Sequence, residues 1–307
     1  MTRYVIRRLL QFIPVLIAAT FIIFALVFAI PGDPIRALSG DRPLSEAVQQ
    51  TLRDRYNLDD PLLVQYGKYL LNVVQGDFGT TFQGRPVNDI IAQRAPVTIR
   101  LALAAFFFQA VIGGLAGVLA ALRRQGFIDT LVQVSTTLVV AIPTLVLAMV
   151  AQVVFGLHLG WFPVAGIGQG WYSYILPGLI LASTSTALIA RLLRTSLIEN
   201  LRADYVRTAT AKGMTRSRVV GRHALRNSLI PVVTFLGADL GALLSGTVII
   251  EGIFNLPGLG GEVFRAIGAQ EGTVVVGVVT LFVLAFLIIN LFVDILYAYL
   301  DPRIRYE

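Results

Sequence analysis

The 307-residue chain has no cysteine, only two histidines (His158 and His223) and few charges: 14% of its residues are Asp, Glu, Lys or Arg. Without cysteine there is no disulfide and no thiolate metal site, and the redox compartment is left undetermined. The sequence holds no Gly-x4-Gly-Lys-Ser/Thr stretch to cradle a phosphate, and neither His-Glu-x-x-His nor Gly-x-Ser-x-Gly, the marks of zinc and serine hydrolases. No catalytic residue and no metal site are expected. A soluble domain carries about 25% charged residues, so this chain lacks the polar surface to cover a globule of its size. Disorder is excluded by the abundance of aromatic and β-branched residues. What is present is apolar: 56% of the residues are hydrophobic, and the mean hydropathy is +0.75. An integral membrane protein is the class that remains, and the apolar runs below make it all-α.

A hydrocarbon core about 30 Å thick takes roughly 20 helical residues to cross. Leu9–Ile30 and Leu101–Leu122 are charge-free runs of 22 residues each. Thr130–Ala190 holds no Asp, Glu, Lys or Arg over 61 residues, enough for two spans and a turn. The turn is placed around Gly156–Trp171, where Gly, Pro and Trp cluster. Leu229–Ile250 and Thr273–Leu300 complete six transmembrane helices. Pro143 and Pro177 are expected to kink the third and fourth. The first span follows Arg3, Arg7 and Arg8 as a secretory signal would. It is longer than the usual apolar region of about 7–15 residues and lacks a small-residue cleavage site, so it reads as a retained helix.

The formal net charge of +7 raises nucleic acid as a partner, and the placement of the charges answers it. With the N-terminus in the cytoplasm, the inner segments hold 16 of the 25 basic residues, nine of them in 191–226. The short outer loops hold none (158–171) and one (Arg265 in 251–272). The surplus is therefore a topology signal, with both termini cytoplasmic, and no nucleic acid is expected.

Two segments lie outside the spans. Residues 31–100 read as an extracytoplasmic helical insertion. Asp60-Pro61 is a helix-start pair, Leu62, Leu63, Tyr66, Tyr69, Leu70, Val73 and Val74 recur at helical spacing, and Gly76 stops the helix. A shorter amphipathic helix is expected over Glu46–Tyr56. The insertion suits the outer leaflet, packing on the bundle, or docking of a partner. In the cytoplasmic loop 191–228, Asp204 is the expected N-cap of a short helix, Tyr205–Lys212. Gly213 falls where a left-handed residue ends it, and Thr215 can cap a second helix from Arg216 to Asn227. The nine basic residues of this loop, against Glu199 and Asp204, also suit anionic headgroups.

The same loop carries a resemblance. Tyr205-Val206-Arg207-Thr208-Ala209-Thr210-Ala211-Lys212-Gly213, followed by His223-Ala224-Leu225-Arg226-Asn227, resembles the EAA loop of bacterial ABC importer permeases. Ala209 and Gly213 match its pattern, roughly Glu-Ala-Ala-x3-Gly-x9-Ile-x-Leu-Pro. Arg207 replaces Glu, Thr208 replaces the first Ala, and Arg226 stands in the region where Pro is expected. These departures look like those of the dipeptide/oligopeptide/nickel permeases. Pro31-Gly32-Asp33-Pro34, Leu58-Asp59-Asp60-Pro61, Gln65-Tyr66, Gly76-Asp77-Phe78-Gly79, Arg85-Pro86-Val87 and Glu251-Gly252-Ile253-Phe254-Asn255-Leu256-Pro257-Gly258-Leu259-Gly260 resemble that subfamily in the same order. The large first external segment resembles its B-type subunit.

The resemblance implies a single type I permease domain over 1–307, in a bacterial inner (plasma) membrane. It implies half of a translocation pathway for di- or oligopeptides, or for a related solute such as a nickel complex or glutathione. The implied partners are a C-type permease, one or two ABC ATPase subunits carrying ATP and Mg²⁺, an extracytoplasmic substrate-binding protein and the lipid bilayer. The resemblance implies no cofactor in this chain and no chemistry on the substrate. Asp204, Tyr205, Arg207, Thr208, Ala209, Ala211, Lys212, Gly213, Arg216, Arg222 and His223 would form the coupling element that docks on the ATPase.

Inside the lipid, Asp239 on the fifth span is a candidate to line the pathway and attract a cargo ammonium, with Ser245 nearby. A structural hydrogen bond to a neighbouring helix explains it as well. Asp294, nearer the inner end of the sixth span, reads first as structural. Gly113-x3-Gly117 and Gly237-x3-Gly241-x3-Ser245 present small residues for close helix packing. Two rivals stand beside the importer: a proton-coupled secondary transporter using Asp239 and Asp294, and an intramembrane hydrolase using both. Neither needs the basic, glycine-turned loop.

Overall fold

Pro86 and the residues before it set the start of the second span. Asn88 accepts from the Phe78 amide at 3.1 Å and donates to the Gly76 carbonyl at 2.6 Å. The Val87 amide reaches the Gly79 carbonyl at 2.9 Å, and Gly76 and Gly79 take φ of +83° and +98°. Only glycine adopts that backbone cheaply. The Gly76–Val87 motifs thus build the bend that feeds the helix, and the span begins at Val87 instead of Leu101. The last part of the segment expected outside the lipid, 87–100, belongs to this continuous helix.

The structure is a computed structural model that describes residues 2–28, 45–46, 49–50, 53 and 59–300. Pro31-Gly32-Asp33-Pro34, most of Glu46–Tyr56, Leu58, Arg303 and Arg305 lie outside the described residues. Regular structure among the described residues is helical: α1 (Thr2–Phe28), α2 (Leu62–Val74), α3 (Val87–Leu122, with a π turn at Gln109–Gly113), α4 (Phe127–Ala141), α5 (Thr144–His158), α6 (Ile175–Leu201), α7 (Asp204–Ala211), α8 (216–228), α9 (Ile230–Ile253), α10 (Leu259–Gly268) and α11 (Gly272–Leu300). Five helical segments are long and apolar enough to cross a membrane, six if α4 and α5 count as one broken span. The chain divides into two compact units, Met1–Thr98 with Leu256–Glu307, and Ile99–Asn255.

In the first unit α1 packs on α11, and α2 lies against both. Phe24, Tyr66 and Val276 form the core there, with Phe21, Val27, Leu62, Tyr69 and Leu70 around them. Gly272 lets α1 approach, since a Cβ there would meet Val27 at 2.5 Å. α2 starts after Pro61, which takes the N-cap place expected of Asp60. Asp60 instead pairs with Lys68 at 2.6 Å. Gly76 ends α2 as expected: its amide bonds Val73 and the Asp77 amide bonds Asn72, both at 2.9 Å, the paired pattern of a left-handed helix stop.

In the second unit α6 is the central helix, burying Leu176, Ile180, Ala187, Ile189, Leu193 and Leu197. α3 presses on it through glycine. A Cβ on Gly117 would lie 2.8 Å from the Ala190 carbonyl and 2.9 Å from the Leu193 Cβ, and one on Gly113 would lie 2.9 Å from the Thr186 carbonyl. The Gly113-x3-Gly117 face is thus packing within this chain. Gly117→Val is expected to cost about 1–3 kcal/mol, because backbone cannot retreat as a side-chain tip can. A clear drop in unfolding temperature in detergent checks it; an unchanged one refutes the close contact.

The two prolines behave differently from each other. Pro143 breaks its helix: Ile142, before it, is forced into extended backbone (φ −94°, ψ 126°). α4 and α5 meet there at 103°, far more than a kink. Pro177 leaves α6 unbroken from Ile175 to Leu201. It is in the first turn of α6, where an N–H would have no intrahelical partner. α6 also continues through Leu201, so Arg191 and Arg194 belong to this helix and not to a loop.

Candidate functional site

Beyond α6 the chain makes the turned helix pair expected of the cytoplasmic loop. α7 begins at Asp204 with Ala203 as N-cap, so Asp204 is the first helical residue and not the cap. Its carboxylate stays at the helix N-terminus, where the dipole favours it, 3.5 Å from Arg207. Gly213 ends α7 with φ +78°. Its amide bonds Thr210 at 2.9 Å and the Met214 amide bonds Ala209 at 3.4 Å, again the paired left-handed stop. Thr215 occupies the N-cap of α8, with no hydrogen bond from its hydroxyl to the helix. α8 is helical to Ser228, and Leu229 leads straight into α9. From Arg216 to Ile253 the chain is helical apart from Leu229, a turn residue whose amide still bonds the Leu225 carbonyl at 2.9 Å.

One face of α7 is not available to any partner. Val206 and Ala209 are buried with Val219 and Ala224 of α8, Ala121 of α3 and Leu197 of α6, and Met214 packs against the same cluster. Ala209, expected among the docking residues, therefore holds α7 to its own bundle. The outward face carries Tyr205, Arg207, Thr208, Ala211 and Lys212, with Arg216 and Arg222 on α8, all exposed. His223 is only partly exposed. Seven cations between Arg202 and Arg226 face outward, against the exposed Glu199 and Asp204, and Arg123 and Arg124 are exposed where α3 ends.

Behind this face stands an ion pair that the reading of the sequence missed. Asp129, in the first turn of α4, is buried and receives both nitrogens of Arg194, at 2.5 and 2.8 Å. The Gln125 amide and the Gln133 side chain also bond it, at 2.8 and 3.0 Å. One turn along α6, Arg191 donates to Thr136 and Thr137 at 3.0 and 2.8 Å. Asp129 and Arg191 bound the uncharged run 130–190, and Arg194 follows one turn beyond it. A charge at each end of that run was the available signal.

Asp239 sits where three helices of the second unit meet. The Ser185 hydroxyl of α6 donates to its Oδ1 at 3.0 Å. Gln109, fully buried at the π turn of α3, stands beside the same carboxylate without meeting it at hydrogen-bonding geometry. Asp239 Oδ2 has no hydrogen-bond partner among the described residues. Ser245 is exposed on α9, where Ala238 and Ala242 are exposed too. Asp294 is paired with Arg8 of α1 at 2.5 Å, which explains it structurally. In the first unit, Glu262 of α10 meets Arg94 at 3.4 Å and also Arg265. Burial first, and the Glu262 carboxylate second, hold the Glu271 carboxyl above its ordinary range.

The Glu251–Gly260 motif is structural where it can be seen. Phe254, Leu256 and Leu259 are almost fully buried. Within the second unit, Gln152 of the α5 π turn donates to the carbonyls of Ile253 and Val164, at 3.0 and 2.8 Å. Within the first, the Leu259 amide is held by the Thr98 hydroxyl at 2.8 Å.

Known proteins match this arrangement over its whole length. Residues 113–306 match the family described as binding-protein-dependent transport system inner membrane component, and residues 1–102 match the N-terminal membrane component of the same systems. The glutathione transport system permease protein GsiC of Escherichia coli strain K12 is 39% identical over 308 residues, covering 100% of both chains. GsiC of Salmonella paratyphi A is 38% identical with the same coverage. Among solved structures, the inward-facing MetNI methionine ABC transporter aligns with a TM-score of 0.56 at 20% identity, over 69% of this chain and 96% of the other. That likeness speaks to the fold alone. With the expected helices, the turned pair at Gly213 and both family matches in place, the chain belongs to the binding-protein-dependent ABC importer permeases.

Proposed function

We propose that this permease is one half of a translocation pathway for short peptides, the tripeptide glutathione among them. A C-type permease would form the other half, separate ATPase subunits would hold ATP and Mg²⁺, and an extracytoplasmic binding protein would deliver the cargo. The orientation proposed is the one the basic residues favour, with both termini and the α7–α8 pair in the cytoplasm. The observation that carries the coupling role is the two-sided character of α7, which is apolar and anchored on one face and exposed and charged on the other.

The work would pass as follows. ATPase closure displaces Arg207, Lys212, Arg216 and Arg222 on the outward face. Val206 and Ala209, wedged against the ends of α3 and α6, carry the displacement to those spans. α8 carries it to α9, because only Leu229 separates the two. Stiff, packed helices transmit such a push as rigid-body rotation. The test is uptake of glutathione and of dipeptides by vesicles holding the complete transporter, with ATP supplied on the cytoplasmic side. Uptake of neither, with the ATPase active, would overturn the substrate assignment.

Asp239, with Ser245 on the same helix, is proposed to line the pathway. An intramembrane carboxylate with one oxygen unmet is suited to a cargo ammonium. Asp239→Asn keeps an acceptor for Ser185 and removes the charge. Its uptake is expected to fall roughly tenfold, a change of about 1.4 kcal/mol, with ATP hydrolysis still stimulated by the loaded binding protein. Loss of both activities together would make Asp239 structural.

A further inference from the structure

α2 shows three sectors around its axis. Leu62, Tyr66, Tyr69 and Leu70 pack on α1 and α11. Gln65, Lys68 and Asn72 form a polar strip on a second side. Between them, at helical spacing, run Leu63, Leu71 and Val74, exposed to 70%, 64% and 84%. An apolar arc of that kind marks a contact with lipid or protein.

Its depth says which. The Tyr66 hydroxyl donates to the Ile17 carbonyl at 2.8 Å and lies 2.9 Å from the Thr20 hydroxyl. Ile17 is about 16 Å along α1 from its end at Phe28, at 1.5 Å per residue. The Tyr69 hydroxyl bonds Thr280 at 2.8 Å, about 12 Å into α11 from Gly272. A tyrosine reaches only one side-chain length, so the α2 backbone lies beside these spans and not beyond their ends. The arc adjoins the packed face directly. α1 itself keeps Ile13, Ile17, Ile22 and Leu26 exposed, as a lipid-facing helix does.

We propose that α2 is a membrane-interface helix: Leu63, Leu71 and Val74 enter the acyl chains that bathe α1, the two tyrosines pin its depth, and Gln65, Lys68 and Asn72 face the headgroups. Which leaflet this is follows from the orientation proposed above; the depth does not depend on it. The expected insertion is then partly a membrane element that sets the tilt of the first and sixth spans.

The chain has no cysteine, so single spin labels are clean reporters. Leu63→Cys, Leu71→Cys, Val74→Cys and Asn72→Cys would be labelled in the complete transporter, in phosphatidylethanolamine/phosphatidylglycerol vesicles. Collisions with oxygen, which dissolves in acyl chains, should exceed those with a water-soluble nickel chelate at 63, 71 and 74. The order should reverse at 72. Chelate dominance along the arc would place it in water. Protection of the arc from both probes would mean that a protein covers it, and a lipid-like signal at 72 would remove the headgroup face. Each of these would overturn the proposal.

Discussion

Gly213→Val is expected to remove most substrate uptake while leaving the amount of protein in the membrane near normal. A Cβ at Gly213 meets nothing within 4 Å, so the whole effect comes from the backbone at φ +78°. Left-handed strain of about 1–2 kcal/mol changes the population of the turned conformation by a factor of roughly 5–30. The bundle is untouched, because Val206 and Ala209 keep their contacts; what is lost is the aim of the outward face. Asparagine tolerates the left-handed region better than other non-glycine residues. Uptake should therefore fall in the order glycine, asparagine, alanine, valine. Normal uptake by the valine variant would remove Gly213 from the coupling role, and equal loss in all three would point to space instead of backbone.

The second large effect is on stability. Asp129→Ala leaves the Arg194 guanidinium without its carboxylate, and the Gln125 amide and Gln133 side chain without their acceptor, with about a fifth of the Arg194 side chain reaching solvent. Removing one partner of a buried pair costs about 3–5 kcal/mol, and the partial exposure of Arg194 puts this case near the lower end. Asp129→Leu with Arg194→Leu together should recover most of the loss, since neither charge then needs a partner. Unfolding midpoints of Asp129→Leu, Arg194→Leu and the double in detergent form a cycle. A coupling near zero would show that water already screens the pair. α4 is held to α6 by this pair and by Arg191, just behind the outward face of α7, so transport should fall with stability in the single variant.

These two cases show what could be read from residue order. Gly213 was legible because a left-handed helix stop is a local matter, settled by the backbone of a few consecutive residues. The short helices on either side follow from the same local rules, although the cap of α7 shifted from Asp204 to Ala203. The pair of Asp129 and Arg194 was not legible, since 65 residues separate its partners. Only the packing of α4 on α6 makes them neighbours. Pro143 and Pro177 looked alike in the sequence. Their opposite outcomes depend on whether the helix had already begun, which is a matter of where neighbouring elements let it start.

The sequence by itself determined that the chain lives in a membrane, roughly where its apolar helices run and where its basic residues collect. Those are properties of composition and of uninterrupted apolar length, which no neighbour can alter. Tertiary structure alone decided which residues of the basic loop are exposed, burying Ala209 and leaving Arg207 and Lys212 outward. It also gave Asp294 to Arg8 and Asp239 to Ser185, and set Tyr66 of α2 against the middle of α1. A charge or a hydroxyl in lipid must find a partner, and that partner is supplied by whichever helix packs alongside, not by the next residue in the chain.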